Sequence, residues 1–211
     1  MEAFDGLDNG IAQYETTAPP KFRSSTDLGA RVGRLNPKWN EEHVDVQARF
    51  EAAVALTGAE FSEDVVEIKT TWLPARGIVE KALNDRMQVD PSGLVMVLET
   101  MCPWQDHLFL LEKELGFKEE EKPIYCLFSE TTPQGVNWRI RAVPPYGGTF
   151  ECRFALPQEW RGLRDDTLST TTGIPGCIFV HANGFIGGAK TREGALELAR
   201  KALHIRAAGS K

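Results

Sequence analysis

Long apolar runs, paired cysteines and an excess of positive charge are all missing from this sequence. No segment approaches the roughly 18 consecutive apolar residues of a membrane span, and the first residues resemble neither a signal peptide nor an Arg-rich transit peptide. The four cysteines include no Cys-x-x-Cys pair, so neither a zinc site nor a redox motif is indicated. Their apolar neighbours predict buried, reduced thiols, and we therefore expect an intracellular protein without a membrane partner.

The charge balance restricts how this chain can meet nucleic acid. There are 24 Lys and Arg residues against 30 Asp and Glu residues, a net charge of −6, so a broadly basic surface for duplex binding is not expected. Any contact with nucleic acid must be local. Catalytic signatures are missing too: there is no Gly-x-Ser-x-Gly or His-Glu-x-x-His pattern, no P-loop and no dinucleotide fingerprint.

The segment from Gly173 to Ala202 is the most informative part of the chain. Cys177 to His181 is β-branched and aromatic, which predicts a strand, and Asn183-Gly184 predicts a hairpin turn into a second strand over 184–186. Thr191 is a good N-cap for the helix that follows, because its apolar residues recur at helical spacing.

Two interpretations of Gly187-Gly188 are open. As a loop before a helix N-terminus, these glycines would offer free N–H groups to a phosphate, with Lys190 and Arg192 adding charge and His181 nearby. Glycines after a strand also serve only to let a helix pack closely on a sheet. The sequence supports both an anion site and simple packing.

Three further places combine aromatic and basic residues. Trp72 and Arg76 lie one helical turn apart and would suit a stacked base and its phosphate, unless Trp72 is a core residue. Arg161 and Arg164 follow Trp160 in a pattern that would suit a ribose-phosphate clamp, with packing and a surface ion pair as the alternative. Arg139 and Arg141 share one face of a predicted strand, opposite Trp138 and Ile140, and we expect them on its wet side.

Two carboxylates near the start of the chain are candidate metal ligands. Asp5 and Asp8 lie three residues apart, a spacing at which carboxylates can share Mg²⁺ or Mn²⁺. Asp8-Asn9-Gly10 is also a common turn, and this alternative stays open.

The order of predicted elements indicates an α/β or α+β fold, with a helical N-terminal part followed by one mixed sheet and flanking helices. The helical part includes a short helix capped by Thr26 or Asp27 and a pair of packed helices separated at Gly58. The remaining predicted elements are a helix at Pro74, strands Leu94–Leu98, Ile124–Phe128, Val136–Val143 and Phe150–Phe154, a helix from Pro103, and a short helix from Pro157.

Several blocks of sequence resemble the melanocyte-proliferating-gene family, which is related to the DHH phosphoesterases. They include GIPGCIFVHANGFIGGAKTREGALELARKAL from Gly173, TTWLPARGIVEKAL from Thr70, DPSGLVMVLETMCPWQDHLFLLEKELG from Asp90 and WRGLRDDTLSTTTGIPG from Trp160. EAFDGLDNGIAQY at the start and SSTDLGARVGRLNP from Ser24 extend the similarity over nearly the whole chain.

The resemblance implies a metal-dependent 3′-5′ exonuclease that acts on RNA in the nucleus and mitochondria. The family's N-terminal half, with its His- and Asp-rich metal motifs, is not found in these residues. The chain therefore resembles a C-terminal half, in which residues 1–26 end a DHH-like catalytic domain and its linker, and residues 27–211 form a DHHA1-like substrate-binding domain. One of Asp5 and Asp8 would be a metal ligand, and most of the Mn²⁺ or Mg²⁺ ligands would lie in the N-terminal domain.

Other functions remain open at this point. The same residues would suit a non-enzymatic anion-binding or interaction domain, or a hydrolase of another phosphoester. The partners expected are single-stranded RNA or another phosphoester, the N-terminal domain, and another copy of the chain in a homo-oligomer.

Overall fold

A computed structural model of the protein describes residues 25–133, 135–147 and 151–209. Asp5, Asp8 and the turn that follows them lie outside the described residues. The chain divides into two compact units at Ile68, so that residues 25–68 and residues 69–209 are described separately. The predicted boundary after residue 26 adjoins the undescribed part and stays a prediction.

The described part of the first unit, residues 25–68, contains two helices. Helix α1 spans Leu28–Gly33, and its N-cap is Asp27, whose carboxylate accepts a hydrogen bond from the N–H of Ala30 at 2.8 Å. This confirms the predicted cap. Helix α2 spans Val46–Glu67 without a break, so the expected pair of packed helices is wrong. Gly58 lies inside α2, where a glycine weakens a helix by about 1 kcal/mol but does not have to end it.

A π-helical turn spans Ile68–Trp72, and all of it except Ile68 belongs to the second unit. After this turn, the second unit contains both helices and strands. The turn leads into α3, which has Pro74 in its first turn as the sequence predicts. The elements are α3 (Leu73–Val89), β1 (Val95–Val97), α4 (Gln105–Glu114), β2 (Tyr125–Thr132), β3 (Gly135–Ala142), α5 (Asp165–Thr172), β4 (Cys177–Val180), β5 (Ile186–Ala189) and α6 (Arg192–Gly209). Short 3₁₀ helices span Glu119–Glu121 and Gln158–Trp160, the second of which confirms the helix predicted after Pro157.

The strands form one five-stranded mixed sheet in the order β1-β2-β3-β5-β4. Strand β1 is parallel to β2, and the other three pairs are antiparallel. The predicted fold class is therefore confirmed. The predicted strand at Phe150–Phe154 is wrong over its described residues, 151–154, which make no ladder and only one backbone hydrogen bond, from Arg153 N to Val143 O at 2.8 Å.

Alternation along the strands divides the core between the two faces of the sheet. Residues such as Leu127 and Ile140 face α5 and α6, where they pack with Leu168 and Leu198. Cys126, Phe128 and Met96 face α3 and α4, where they pack with Leu83 and Leu108. Each fully buried side chain of this size contributes about 1.5–3 kcal/mol, so both helical layers stabilise the sheet.

All four cysteines are free, and Cys126 and Cys177 are buried. Burial raises the pKa of the Cys126 thiol well above its ordinary value, which keeps it protonated and unreactive. In the described part of the chain, no helix is long and apolar enough to cross a membrane.

Candidate functional site

Gly187 and Gly188 lie in the middle of strand β5 and not in a loop. Gly187 is paired with Ile140 and Val180, and Gly188 with Arg139 and Phe179, so both glycines have strands on either side. The predicted loop geometry is therefore wrong, because the sequence does not show that β3 pairs with β5. A free backbone cradle for a phosphate is not formed at these two residues.

The structural role of each glycine depends on the face of the sheet toward which a side chain at that position would point. A Cβ on Gly187 would point into the core, 3.0 Å from the carbonyl oxygen of Phe179 and 3.2 Å from side-chain atoms of Leu156 and Val180. A backbone oxygen cannot move aside as a flexible side chain can. The packing interpretation therefore describes Gly187.

Gly188 opens on the opposite face, below the guanidinium group of Arg139. A Cβ at Gly188 would lie 2.6 Å from Nη1 of Arg139 and 3.1 Å from Cε1 of Phe179. The missing side chain thus leaves room for the guanidinium to lie directly over the backbone of β5. Gly188 acts here by positioning an arginine.

Arg139 belongs to a group of cations supported by aromatic rings, which we call the arginine–aromatic surface: Arg139, Arg141, Arg164, Phe179 and Phe185. The Cζ atoms of Arg139 and Arg164 lie 5.3 and 5.8 Å from the ring centroid of Phe179. The Cζ atom of Arg141 lies 5.2 Å from the ring centroid of Phe185. A ring below a guanidinium restrains its orientation and leaves its N–H groups available at the edge.

The charge of this surface is only partly compensated. Arg139 forms an ion pair with Glu130, while its Nη1 atom is buried without a hydrogen-bond partner. Within the described ranges, neither Arg141 nor Arg164 forms an ion pair. Only one of these three guanidinium groups is held in an ion pair, although Asp106 lines the cavity beside Arg141 and Asp165 follows Arg164 in the sequence.

His181 borders the arginine–aromatic surface at the turn between β4 and β5. Its ring centroid lies 4.6 Å from that of Phe185. Its Nδ1 atom accepts a hydrogen bond from the N–H of Asn183 at 3.1 Å, so in the neutral ring the proton is on Nε2. His181 can therefore donate a hydrogen bond from Nε2 to an anionic group.

A cavity of about 340 Å³ adjoins Arg141. It is lined by Trp104, which lies in the segment between β1 and α4, and by Gln105 and Asp106 in the first turn of α4. The cavity combines an aromatic wall with a cation, a carboxamide and a carboxylate, so it offers both hydrogen-bond donors and acceptors beside the arginine–aromatic surface.

Lys190 and Arg192 lie at the other end of the β4–β5 hairpin from His181. The N–H of Lys190 donates to Gly176 O at 2.9 Å, whereas the N–H of His181 donates to Ile186 O at 2.9 Å. Four residues of strand separate these ends, a distance of about 13 Å. The structure therefore does not bring His181 together with Lys190.

The helix start beyond Lys190 has the geometry that the sequence predicts. The Oγ1 atom of Thr191 accepts a hydrogen bond from the N–H of Gly194 at 3.1 Å, which confirms the predicted cap of α6. Arg192 lies over Trp138, with its Cζ atom 5.9 Å from the ring centroid.

Arg161 and Arg76 have structural partners. Arg161 donates from Nε to the carbonyl oxygen of Leu156 at 2.9 Å. Arg76 forms an ion pair with Glu114 at 2.5 Å, and this hydrogen bond raises the pKa of its guanidinium. Neither arginine belongs to the arginine–aromatic surface. That surface includes Arg164, but not Arg161, with which the sequence predicted it would form a clamp.

Trp72 stacks on the ring of His107, with the two ring centroids 4.0 Å apart. The Nε2 atom of His107 donates to the carbonyl oxygen of Trp72 at 2.7 Å. His107 is fully buried, as expected for a structural histidine. This pairing gives Trp72 a packing role, although the residue is only partly buried and belongs to neither hydrophobic cluster.

Within residues 25–133, 135–147 and 151–209, no group of three or more His, Cys, Asp or Glu side chains is arranged to hold a metal ion. Asp5 and Asp8 lie outside these ranges.

The fold and the site together define a mixed α/β protein whose sheet carries guanidinium groups supported by aromatic rings. The chain belongs to the MYG1 exonuclease family, described as an uncharacterised protein family (UPF0160), whose profile matches residues 1–203. This confirms the resemblance found in its sequence blocks.

Relatives from distant organisms match almost all of the chain. It is 47% identical to the MYG1 exonuclease of Homo sapiens over 204 residues, which are 96% of this chain and 53% of the human protein. It is 46% identical to the MYG1 protein of Dictyostelium discoideum over 206 residues, with 97% and 61% coverage, and 44% identical to the MYG1 protein C27H6.8 of Caenorhabditis elegans over 207 residues, with 97% and 59% coverage. The chain thus spans about half the length of the curated relatives it matches. No solved structure matches it.

Proposed function

We propose that this chain is the substrate-binding part of a metal-dependent 3′-5′ exonuclease and holds single-stranded RNA on its arginine–aromatic surface. The observation that carries the proposal is the set of guanidinium groups over Phe179 and Phe185. The name of the human relative, MYG1 exonuclease, supports the reaction class. A DHHA1-like role for residues 27–211 fits this proposal.

The chemistry of the surface suits phosphate groups. A guanidinium is planar and binds a phosphate with two parallel hydrogen bonds, and a ring beneath it lowers the entropy lost when it does so. Arg139 and Arg141 are two residues apart on β3, and so about 6.6 Å apart along the strand. Two cations at this spacing can contact more than one phosphate group of the same RNA strand.

Single-stranded nucleic acid is a better fit than a duplex. The protein is acidic overall, and only a local surface is positive, so a long charged rod would be repelled outside the site. A flexible strand can follow a short surface and place one base in the cavity beside Arg141. Lys190 would extend the track at the far end of the hairpin, whereas Arg192 lies over Trp138, on the opposite face of β3 from Arg139 and Arg141.

We assign hydrolysis itself to the metal-binding N-terminal domain that the family resemblance implies. Bound Mn²⁺ or Mg²⁺ would activate a water molecule and stabilise the leaving oxygen there. Asp5 or Asp8 would supply a ligand, which fits the oxygen preference of these ions. The residues described here bind and orient the strand, and the nucleus and mitochondria are the proposed compartments.

The test uses a protein that is as long as the curated relatives and contains this chain. Its substrate is single-stranded RNA labelled at the 5′ end. We expect Mn²⁺- or Mg²⁺-dependent shortening from the 3′ end, and loss of activity with EDTA. Arg141→Gln should raise KM with little change in kcat, because Arg141 is proposed to bind the strand and not to take part in the reaction. Lys113→Gln, which removes an exposed charge from α4, is the matched control. Endonucleolytic products, or equal KM values for the two variants, would contradict the proposal.

A further inference from the structure

The 22-residue helix α2 carries an apolar stripe that is largely exposed among the residues that the structure describes. The exposed fractions are 63% for Phe50, 52% for Val54, 63% for Phe61 and 47% for Val65. Not one described residue of the first unit, from 25 to 68, is buried. Isolated helices are only marginally stable in water, so a helix of this length with an exposed apolar stripe needs a packing partner.

The stripe has the period of a helix–helix seam. Val46, Phe50, Val54, Thr57 and Phe61 follow one another at intervals of three or four residues, and Ile68 continues the series. This interval keeps apolar residues along one side of a helix, facing a single neighbouring helix over its whole length of about 33 Å.

The four apolar side chains in the central part of the stripe are symmetrical about Thr57 and Gly58. Reversing the helix about this point places Phe50 opposite Val65 and Phe61 opposite Val54. Each large ring therefore meets a smaller β-branched side chain. Gly58 has free space where a Cβ would be, and this allows two backbones to approach closely at the centre.

The charges beside the stripe favour the same antiparallel arrangement. The second half of α2 is acidic, with Glu60, Glu63, Asp64 and Glu67. A parallel pair would place these carboxylates against their own copies. In the antiparallel pair, Glu67 lies near the level of Arg49 of the other helix, and opposite charges meet at both ends.

From these observations we propose that α2 is a dimerisation helix, which pairs with α2 of a second copy of this chain in an antiparallel, two-fold symmetric arrangement. The contact is isologous, so it closes after two subunits. The seam is a surface of the first unit, and it does not depend on the arginine–aromatic surface of the second.

The first test measures the mass of the 211-residue chain by sedimentation equilibrium. We expect twice the 23.5 kDa of one chain at micromolar concentration. Phe61→Glu places a charge in the seam twice per dimer and should weaken association by at least about 100-fold. Ser62→Glu introduces the same charge on the neighbouring exposed residue, away from the stripe, and should leave the dimer intact. A monomeric wild type, or equal effects of the two variants, would overturn the proposal.

The second test determines the direction of the helices by disulfide cross-linking under mild oxidation. An equal mixture of Phe50→Cys and Val65→Cys chains should give a cross-linked heterodimer, while each variant alone should give none beyond the level of the wild type. Cross-linking of Phe50→Cys with itself would show a parallel pair and overturn the antiparallel arrangement. Circular dichroism of each variant verifies that the second unit remains folded.

Discussion

The adjacent glycines of β5 allow one substitution to be compared on the two faces of the same sheet. Gly187→Ala adds a methyl group toward the core, and Gly188→Ala adds one toward the arginine–aromatic surface. Neither glycine has a positive φ, so backbone strain does not complicate the comparison. The two variants should therefore differ only in what the new methyl group meets.

The contacts indicate how large each effect should be. At Gly187 the methyl group would meet the backbone oxygen of Phe179 at 3.0 Å, with Leu156 and Val180 at 3.2 Å. Overpacking a core in this way costs about 1–3 kcal/mol of unfolding free energy. At Gly188 the closest atom is the end of the Arg139 side chain at 2.6 Å, which can move, so the free energy of unfolding should fall by less. Displacing that guanidinium should instead weaken RNA binding.

Urea unfolding followed by circular dichroism measures the first quantity, and fluorescence anisotropy with labelled single-stranded RNA measures the second. Gly187→Ala should lower the midpoint of unfolding while the folded protein keeps its RNA affinity. Gly188→Ala should retain most of its stability and lose affinity about 5- to 30-fold, the equivalent of one charge-assisted contact of about 1–2 kcal/mol. If Gly188→Ala binds as well as the wild type, or if both variants lose stability equally, the assignment of the two glycines is wrong.

Three other perturbations have defined outcomes. Glu112→Ala leaves the guanidinium of Arg153, which Glu112 contacts at 2.6 Å, buried without its carboxylate, and should lower the free energy of unfolding by about 3–5 kcal/mol in a urea titration. Burial acts to raise the pKa of Asp90, but hydrogen bonds from Ser92 and Arg200 outweigh it and lower that pKa. The stabilisation is therefore complete above the unfolded-state pKa of about 3.9 and is lost as the pH falls through the folded-state value, so Asp90→Asn should be less sensitive to acid than the wild type. Lys190→Ala should lower RNA affinity without changing stability if the track extends along the hairpin, and an unchanged affinity would limit the site to the arginine–aromatic surface.

Local signals in the sequence were sufficient for the helix caps and for the turn between β4 and β5, but the second strand, predicted over 184–186, spans Ile186–Ala189. Asp27 and Thr191 cap their helices through contacts within three residues, which depend on the chain nearby and on little else. The turn at Asn183-Gly184 was likewise predicted from these two residue types. Gly184 has the positive φ of 70° that such a turn requires. The mixed α/β class followed from the order of these local elements.

Non-local pairing explains what the sequence did not show. Whether Gly187-Gly188 is a loop or a strand depends on β3 and β4 lying on either side, and this pairing leaves no local pattern. Helix α5, at Asp165–Thr172, was not predicted, because its threonines and acidic residues have low helix propensity. It is held on the sheet by non-local contacts, which include packing of Leu168 and a hydrogen bond from the N–H of Cys177 to Oγ of Ser169 at 3.1 Å. The same limit applies to the arginine–aromatic surface. Arg139 and Arg141 were placed on one face of β3, but Phe179 and Phe185 come from the other hairpin.

The salt dependence of RNA binding tests the central proposal most directly. The measurement compares the wild-type chain with the Arg141→Gln/Arg164→Gln double variant and the Lys113→Gln control, over a series of KCl concentrations. Each phosphate contact with a single strand contributes about 0.7 to the slope of log affinity against log salt concentration, so the double variant should bind more weakly with a slope about 1.4 smaller. Lys113→Gln should match the wild type in both quantities. Equal affinities and equal slopes for all three proteins would show that these arginines do not hold the strand.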